Sequence, residues 1–167
     1  HYPLRRQRQM CIRDSFGGLQ VVVNNAAMTM ATPVMQISPE EFDRVMSLNT
    51  RSVFVGCQVF GAHMAQAGYG RIVNMASFGA KTGGLSPVPA YAASKGGVIS
   101  LTFSFAREYA AFGVTCNALA PTFVKTQMLT DQVSAERQAE LRQKIPVGRF
   151  CELEELAHCV LLSLIHI

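Results

Sequence analysis

The sequence predicts an α/β fold, a parallel sheet doubly wound with helices, and three features carry that reading. Short apolar, β-branched runs at 19–23, 71–75 and 114–118 have the length and composition of buried strands. Long apolar segments at helical spacing, near 39–67 and 90–112, lie between them. Each short run also stops abruptly in polar or turn-forming residues: Asn24-Asn25, Ser77, and Asn117 to Pro121. Strand, helix, strand, helix, strand is the order in which right-handed crossovers build a parallel sheet.

The elements follow one another with recognisable signals. Gly17-Gly18 is a turn before the first strand. Ser38-Pro39-Glu40-Glu41 is a helix start, with Ser38 as cap, proline at the first helical position and acids in the first turn. Phe42, Val45, Met46, Val53, Phe54, Cys57, Phe60 and Met64 continue that helix to the stop at Gly68 and Gly70. After the second strand, a glycine-bearing loop over 79–89 leads to the second long helix. Beyond the third strand the chain is more polar, with helices expected at 132–144 and 152–161 around the Pro146-Val147-Gly148 break. Both long helices are apolar on more than one face, through Val53, Phe54 and Val55 and through Val98, Ile99, Leu101, Phe103 and Phe105. Helices of that kind are buried all round, so more than one core stripe is expected to be covered.

Composition narrows the class. At 167 residues, 49% hydrophobic and 16% charged, the chain is a core-rich domain and not a disordered one. No apolar run reaches the ~20 residues needed to cross a bilayer, so no membrane partner is expected. Five scattered cysteines without a Cys-x-x-Cys read as buried reduced thiols of a cytoplasmic protein, not as a disulfide framework or a metal site. The net charge of +4 suggests nucleic acid only until it is located: 1–15 carries +3 of it, through Arg5, Arg6, Arg8 and Arg13 against Asp14. Residues 5–14 also back-translate codon for codon into a transposon-type sequencing adapter, and 162–167 into the same end in reverse complement. Residues 1–15 and 162–167 are therefore expected to be translated adapter, with 16–161 the genuine domain, and no nucleic-acid partner is expected.

The chemistry centres on Tyr91-Ala92-Ala93-Ser94-Lys95, at the start of the second long helix. Residues four apart share a helix face, so Tyr91 and Lys95 point into one space. A free phenol has a pKa of about 10, and a cation held within ~4–6 Å favours the phenolate, which is a way to build a general acid and base. The spacing also arises by chance, and its weight rests on what converges on it. In open parallel sheets ligands bind beyond the carboxyl ends of the strands. That is where the three polar strand ends and the Tyr91/Lys95 turn meet.

Taken together these residues resemble the short-chain dehydrogenase/reductase family. Val21-Val22-Val23-Asn24-Asn25-Ala26-Ala27 is similar to the family's Asn-Asn-Ala-Gly strand end, with Ala27 where glycine is usual. Asn49 sits where the family carries its catalytic asparagine, and Gly70 to Ser77 resembles the strand that delivers the catalytic serine. Tyr91 and Lys95 fit the Tyr-x-x-x-Lys signature. Asn117-Ala118-Leu119-Ala120-Pro121-Thr122 resembles the stretch that ends Pro-Gly, with Thr122 replacing the glycine, and Val124 and Thr126 match cofactor-contacting positions. The resemblance covers 16–161 and implies a partial, Rossmann-like NAD(P)-binding domain.

It further implies an oxidoreductase that interconverts a secondary alcohol and a ketone by hydride transfer, of the 3-oxoacyl-thioester-reductase or sugar/polyol-dehydrogenase kind. The implied catalytic set is Asn49, Ser77, Tyr91 and Lys95, with Asn49 holding a proton-relay water; the cofactor contacts are Asn25, Ala26, Ala27, Tyr91, Lys95, Pro121, Val124 and Thr126. A homodimer or homotetramer through the two long helices is implied as well. The alternative is a non-catalytic nucleotide-sensing or interaction protein on the same fold, against which stands the complete catalytic set. The family's glycine-rich turn, which receives the dinucleotide pyrophosphate, occurs nowhere in these 167 residues, nor does the residue that would select NAD over NADP. The expected last strand is absent too. These residues are thus expected to be the central and C-terminal part of the domain and to be inactive on their own.

Overall fold

The computed structural model describes residues 18–165 apart from residue 31, 85–87, 128 and 130–132. Residues 1–17 and 166–167, and with them Gly17 of the expected first turn and the expected adapter residues 1–15, lie outside the described residues. Three strands, β1 (Val21–Asn24), β2 (Gly70–Met75) and β3 (Val114–Leu119), form a parallel sheet in the order β1-β2-β3. The register sets Asn24 beside Asn74 and Asn74 beside Ala118. The first strand therefore begins two residues later than the apolar run, because Gln20 contributes only its carbonyl, accepting from Arg71 N at 2.9 Å.

Between β1 and β2 run α1 (Pro39–Met46), a π-turn (Ser47–Arg51) and α2 (Ser52–Ala67). The Ser38 hydroxyl caps α1 by accepting from Glu41 N at 3.1 Å, and Gly68 ends α2 in the left-handed conformation at φ 72°. The single helix expected over 39–67 is thus broken in its middle by one wide turn, and Asn49 lies inside it. Between β2 and β3 come the short α3 (Gly79–Thr82), α4 (Pro89–Tyr109) and a 3-10 turn (Ala110–Phe112). The last helices are α5 (Ala135–Gln143) and α6 (Leu153–Ile165). The second of these extends past the expected end at 161, and the Leu164 carbonyl accepts from Arg71 Nε at 3.1 Å.

The main core lies between the sheet and the α2/α4 pair. Val53, Cys57, Met64, Ile72, Val98, Phe105, Tyr109, Val114 and Cys116 form one buried cluster there. Side chains alternate across a strand, so Ile72 and Asn74 face this core while Arg71 faces α6 on the opposite side. Helices on both faces make the sheet doubly wound, as expected. The two helices approach closely at Gly61, where an added Cβ would lie 2.2 Å from the Tyr109 ring. A polar spine crosses this apolar layer. Asn74, wholly buried, accepts from Asn24 Nδ2 at 2.7 Å through Oδ1 and donates to Thr102 Oγ1 at 3.0 Å and Cys116 Sγ at 3.4 Å. Satisfied polar groups in a core penalise alternative pairings, so this spine pins the strand register that sets the carboxyl ends level.

Candidate active site

Every strand ends at the same edge of the sheet, and most of the sequence-derived site residues gather there. Beyond β1 the chain turns into Asn25, Ala26 and Ala27, all exposed at the crevice. Beyond β2 and β3 the ladder continues past its last assigned residues: Ala76 N donates to Leu119 O at 2.7 Å and Phe78 N to Pro121 O at 2.9 Å. That continuation brings Ser77 alongside Pro121. The Ser77 Oγ accepts from Gly79 N at 3.1 Å at the start of α3, which holds the side chain at the strand exit.

Tyr91 and Lys95 occupy successive turns of α4 on one face, with the Lys95 ammonium 5.8 Å from the centre of the Tyr91 ring. Pro89 and Ala90 open the helix, so Tyr91 stands in its first turn, next to the mouth of the crevice. Lys95 is 3% exposed and Nζ donates to the Met75 carbonyl at 2.5 Å, which ties α4 to the end of β2. Burial holds this ammonium below the ordinary lysine value of 10.5. Lys95 is thus a deeply buried cation with a carbonyl as its hydrogen-bond acceptor and no carboxylate ion-paired to it among the described residues.

Asn49 is reached from a different element. It is fully buried in the π-turn, and its side chain is spent on protein partners: Oδ1 accepts from Met28 N at 2.8 Å, and Nδ2 donates to Met28 O at 2.8 Å and to Ser94 Oγ at 2.9 Å. Both amide hydrogens are thus committed, so Asn49 clamps the chain just after Ala27. Ser94 and the Met28 backbone were not singled out by the sequence. The available signal was position, since Ser94 lies inside the Tyr91/Lys95 turn and Met28 directly follows the asparagine-rich strand end.

The remaining residues, Val124 and Thr126, lie on the segment after β3. Val124 forms a parallel bridge with Cys151, supported by Lys125 N donating to Cys151 O at 2.8 Å and Cys151 N to Phe123 O at 3.0 Å. Thr126 Oγ1 accepts from Leu129 N at 3.3 Å and so starts the next turn. Nearby, Arg149 places two hydrogen bonds of 2.7 Å on Glu155, whose carboxyl is held at about 2 by that guanidinium and by the Glu152 N–H. Asn49, Ser77, Tyr91 and Lys95 thus converge with the 25–27 loop at one strand edge, while Val124 and Thr126 lie on a separate segment packed against Cys151.

Comparisons with known proteins agree with this layout. The family model described as enoyl-(acyl carrier protein) reductase matches residues 10–164. A 3-oxoacyl-[acyl-carrier-protein] reductase of Vibrio cholerae is 38% identical over 149 residues, covering 89% of this chain and 60% of its own length. A 2-dehydro-3-deoxy-D-gluconate 5-dehydrogenase of Escherichia coli is 38% identical over 138 residues, covering 81% and 54%. Among solved structures, that of a gluconate dehydrogenase candidate from Agrobacterium tumefaciens superposes with a TM-score of 0.85 at 27% identity, over 92% of this chain and 61% of its own. The chain spans about 60% of the length of such relatives. With its strand-end crevice, its Tyr91/Lys95 turn and these matches, the chain belongs to the short-chain dehydrogenase/reductase family.

Proposed function

We propose that the protein is an NAD(P)-dependent oxidoreductase that interconverts a secondary alcohol and a ketone, with Tyr91 as general acid and base. The observation that carries this reading is the buried Lys95 ammonium set 5.8 Å from the Tyr91 ring at the strand-end crevice. The crevice suits a dinucleotide: small residues Ala26 and Ala27 border it, and Lys95 offers an unneutralised cation to ribose oxygens. Asn25 to Ala27, Tyr91, Lys95, Pro121, Val124 and Thr126 would hold the cofactor, which supplies the hydride when bound. Tyr91 protonates the carbonyl oxygen in reduction and removes the proton in oxidation. Ser77 Oγ donates to the same oxygen and favours the charge that develops on it. Lys95 offsets the charge the phenol acquires when it loses its proton, and orients the ribose. Asn49 keeps the 25–28 loop in place, a role its fully engaged amide supports directly.

Relatives named for oxoacyl and for sugar-acid substrates frame the substrate class as a small oxo or hydroxy compound. A cytoplasmic setting is part of the same proposal; of the thiols expected to be buried, Cys57 and Cys116 are, in the core cluster, whereas Cys151 is half-buried and Cys159 exposed, both outside that cluster. Among the described residues no helix is long and apolar enough to cross a membrane. The test is a nicotinamide absorbance assay over a panel of alcohols and ketones, on the polypeptide encoded by the complete source reading frame. Turnover with NAD or NADP is expected. Cofactor binding without turnover on any member would favour a nucleotide-sensing protein on this fold instead.

Assembly belongs to the same proposal. Phe54, Val55, Val59 and Phe103 leave 41, 42, 53 and 65% of their surface exposed on α2 and α4. Beside Phe54, where the π-turn meets α4, lies an open groove of about 490 Å³, bordered by Met46, Phe54 and Leu101 and by Thr50, Arg51 and Ser100. Contiguous apolar surface of this kind marks an interface. A second copy of the chain is the occupant proposed, giving a homodimer or a homotetramer. Light scattering should return two or four times the chain mass, and Phe54→Glu should reduce it; a wild-type monomer would refute the assignment.

A further inference from the structure

We propose that Ser94 is a positioning residue: its hydroxyl fixes the orientation of the Asn49 amide and, through it, the Met28 backbone in the wall of the crevice. This rests on the oxidoreductase reading for its kinetic consequence, but not for its geometry. Ser94 is fully buried, and its Oγ donates to Tyr91 O at 2.7 Å. A hydroxyl has one proton, so towards Asn49 the oxygen is an acceptor only. It receives Asn49 Nδ2 at 2.9 Å. The other amide hydrogen goes to Met28 O, and Met28 N donates to Oδ1.

Turning the Asn49 amide over would set its oxygen against Ser94 Oγ and against Met28 O, two buried contacts between acceptors. It would also face its NH2 group towards the Met28 N–H. One orientation survives: Met28 sets it from the loop side, and Ser94 locks it from the α4 side by taking the second amide hydrogen. The π-turn makes this possible. Asn49 and Thr50, adjacent in sequence, both grip Ser94, since Thr50 Oγ1 donates to the Ser94 carbonyl at 2.9 Å. An unbroken α-helix turns adjacent side chains about 100° apart, which makes such a double grip hard to achieve. The outcome is a relay of hydrogen bonds from the Tyr91 carbonyl through Ser94 and Asn49 to Met28. It sets the 25–28 loop at a fixed distance from the Tyr91/Lys95 turn, two walls that would close on the same cofactor.

The test uses Ser94→Ala and, as a control on the same turn, Thr50→Val, in the polypeptide of the complete source reading frame. Losing one buried hydrogen bond corresponds to about tenfold, so Ser94→Ala should raise the KM for nicotinamide cofactor about tenfold and quicken amide hydrogen exchange at Met28 by a similar factor. The turnover number and the KM for the alcohol should stay within about twofold, since the reacting groups are untouched. Thr50→Val breaks a contact between the same two elements yet should move neither the cofactor KM nor Met28 exchange. Should Ser94→Ala not fold, Ser94→Thr and Ser94→Val supply a pair of equal shape that differs only in the hydroxyl, and exchange at Met28 should be slow in the first and fast in the second. Unchanged Met28 exchange on loss of the hydroxyl would overturn the proposal. If the wild-type protein shows no turnover, the oxidoreductase reading fails, while Met28 exchange still decides the role of Ser94.

Discussion

Replacing Tyr91 with phenylalanine is expected to lower turnover by about 10²–10⁴-fold, the span that general acid–base groups contribute. The substitution keeps the ring, so the 5.8 Å approach of the Lys95 ammonium to it is retained. It also leaves Ser94 bonded to the backbone carbonyl at 91, which does not depend on the phenol. Binding and reaction should therefore separate. The dissociation constant for nicotinamide cofactor should stay within about threefold of wild type, because only one polar contact is lost. Steady-state assays and fluorescence titration on the same preparation measure both. Wild-type turnover in the phenylalanine variant would remove Tyr91 from the mechanism.

Lys95→Met should act in opposite directions on activity and on stability. Activity should fall about 10²-fold or more, through loss of the charge beside the phenol and of the hold on the cofactor. Stability without cofactor should rise, by about 1 kcal/mol at neutral pH, since an apolar side chain replaces a buried charge. The pH dependence follows from the proton balance. Burial lowers the Lys95 value below 10.5, so over the interval between the folded value and 10.5 the unfolded chain binds more protons than the folded one. The cost of the buried charge is complete below the folded value, shrinks as pH rises through it, and is gone above the ordinary lysine value. The advantage of Lys95→Met should shrink in step. Urea denaturation at neutral pH and near pH 10 measures this, and a neutral-pH midpoint below wild type would contradict it.

Much of the site was legible because the sequence writes it locally. The Tyr91/Lys95 spacing needs only helical geometry, and the polar residues that end β1, β2 and β3 need only the direction of a parallel sheet. The caps of α1 and α2 were equally readable, because Ser38-Pro39 and Gly68 act on their own backbone. What stayed hidden depends on partners far away in the chain. The π-turn at 47–51 has no local signature, as its residues continue the helical pattern of 39–67 without a break. Within it Asn49 is held by Met28 and Ser94, across 21 and 45 residues, partners that no local pattern shows. Lys95 could be matched to Tyr91 by spacing, but not to the Met75 carbonyl, whose position depends on how α4 lies across β2. Ser94 was invisible for a related reason. A serine within a helix ordinarily bonds its own preceding turn, and nothing in sequence separates that habit from a relay. The exposed phenylalanines of α2 and α4 show the opposite limit: apolar density predicted helices covered on more than one face, yet within this chain Phe54 and Phe103 stay 41 and 65% exposed.

The wide turn at 47–51 also bears on which changes the protein can tolerate. A π-turn holds one residue more than the α-helical turn it replaces. The site therefore depends on a residue count as well as on residue identity. Removing any one residue between Ser47 and Arg51 would let the helix close into a regular α-helix, with α1 and α2 both intact and the core of α2 still facing the sheet. Asn49 or its successor would then be rotated off the line joining Ser94 to Met28. Such a chain would keep its strands, its caps and its Tyr91/Lys95 turn, and would lose the loop placement that makes them useful. In this segment, set between two helices, a change of length is therefore far more damaging than in the surface loops, which tolerate insertions and deletions.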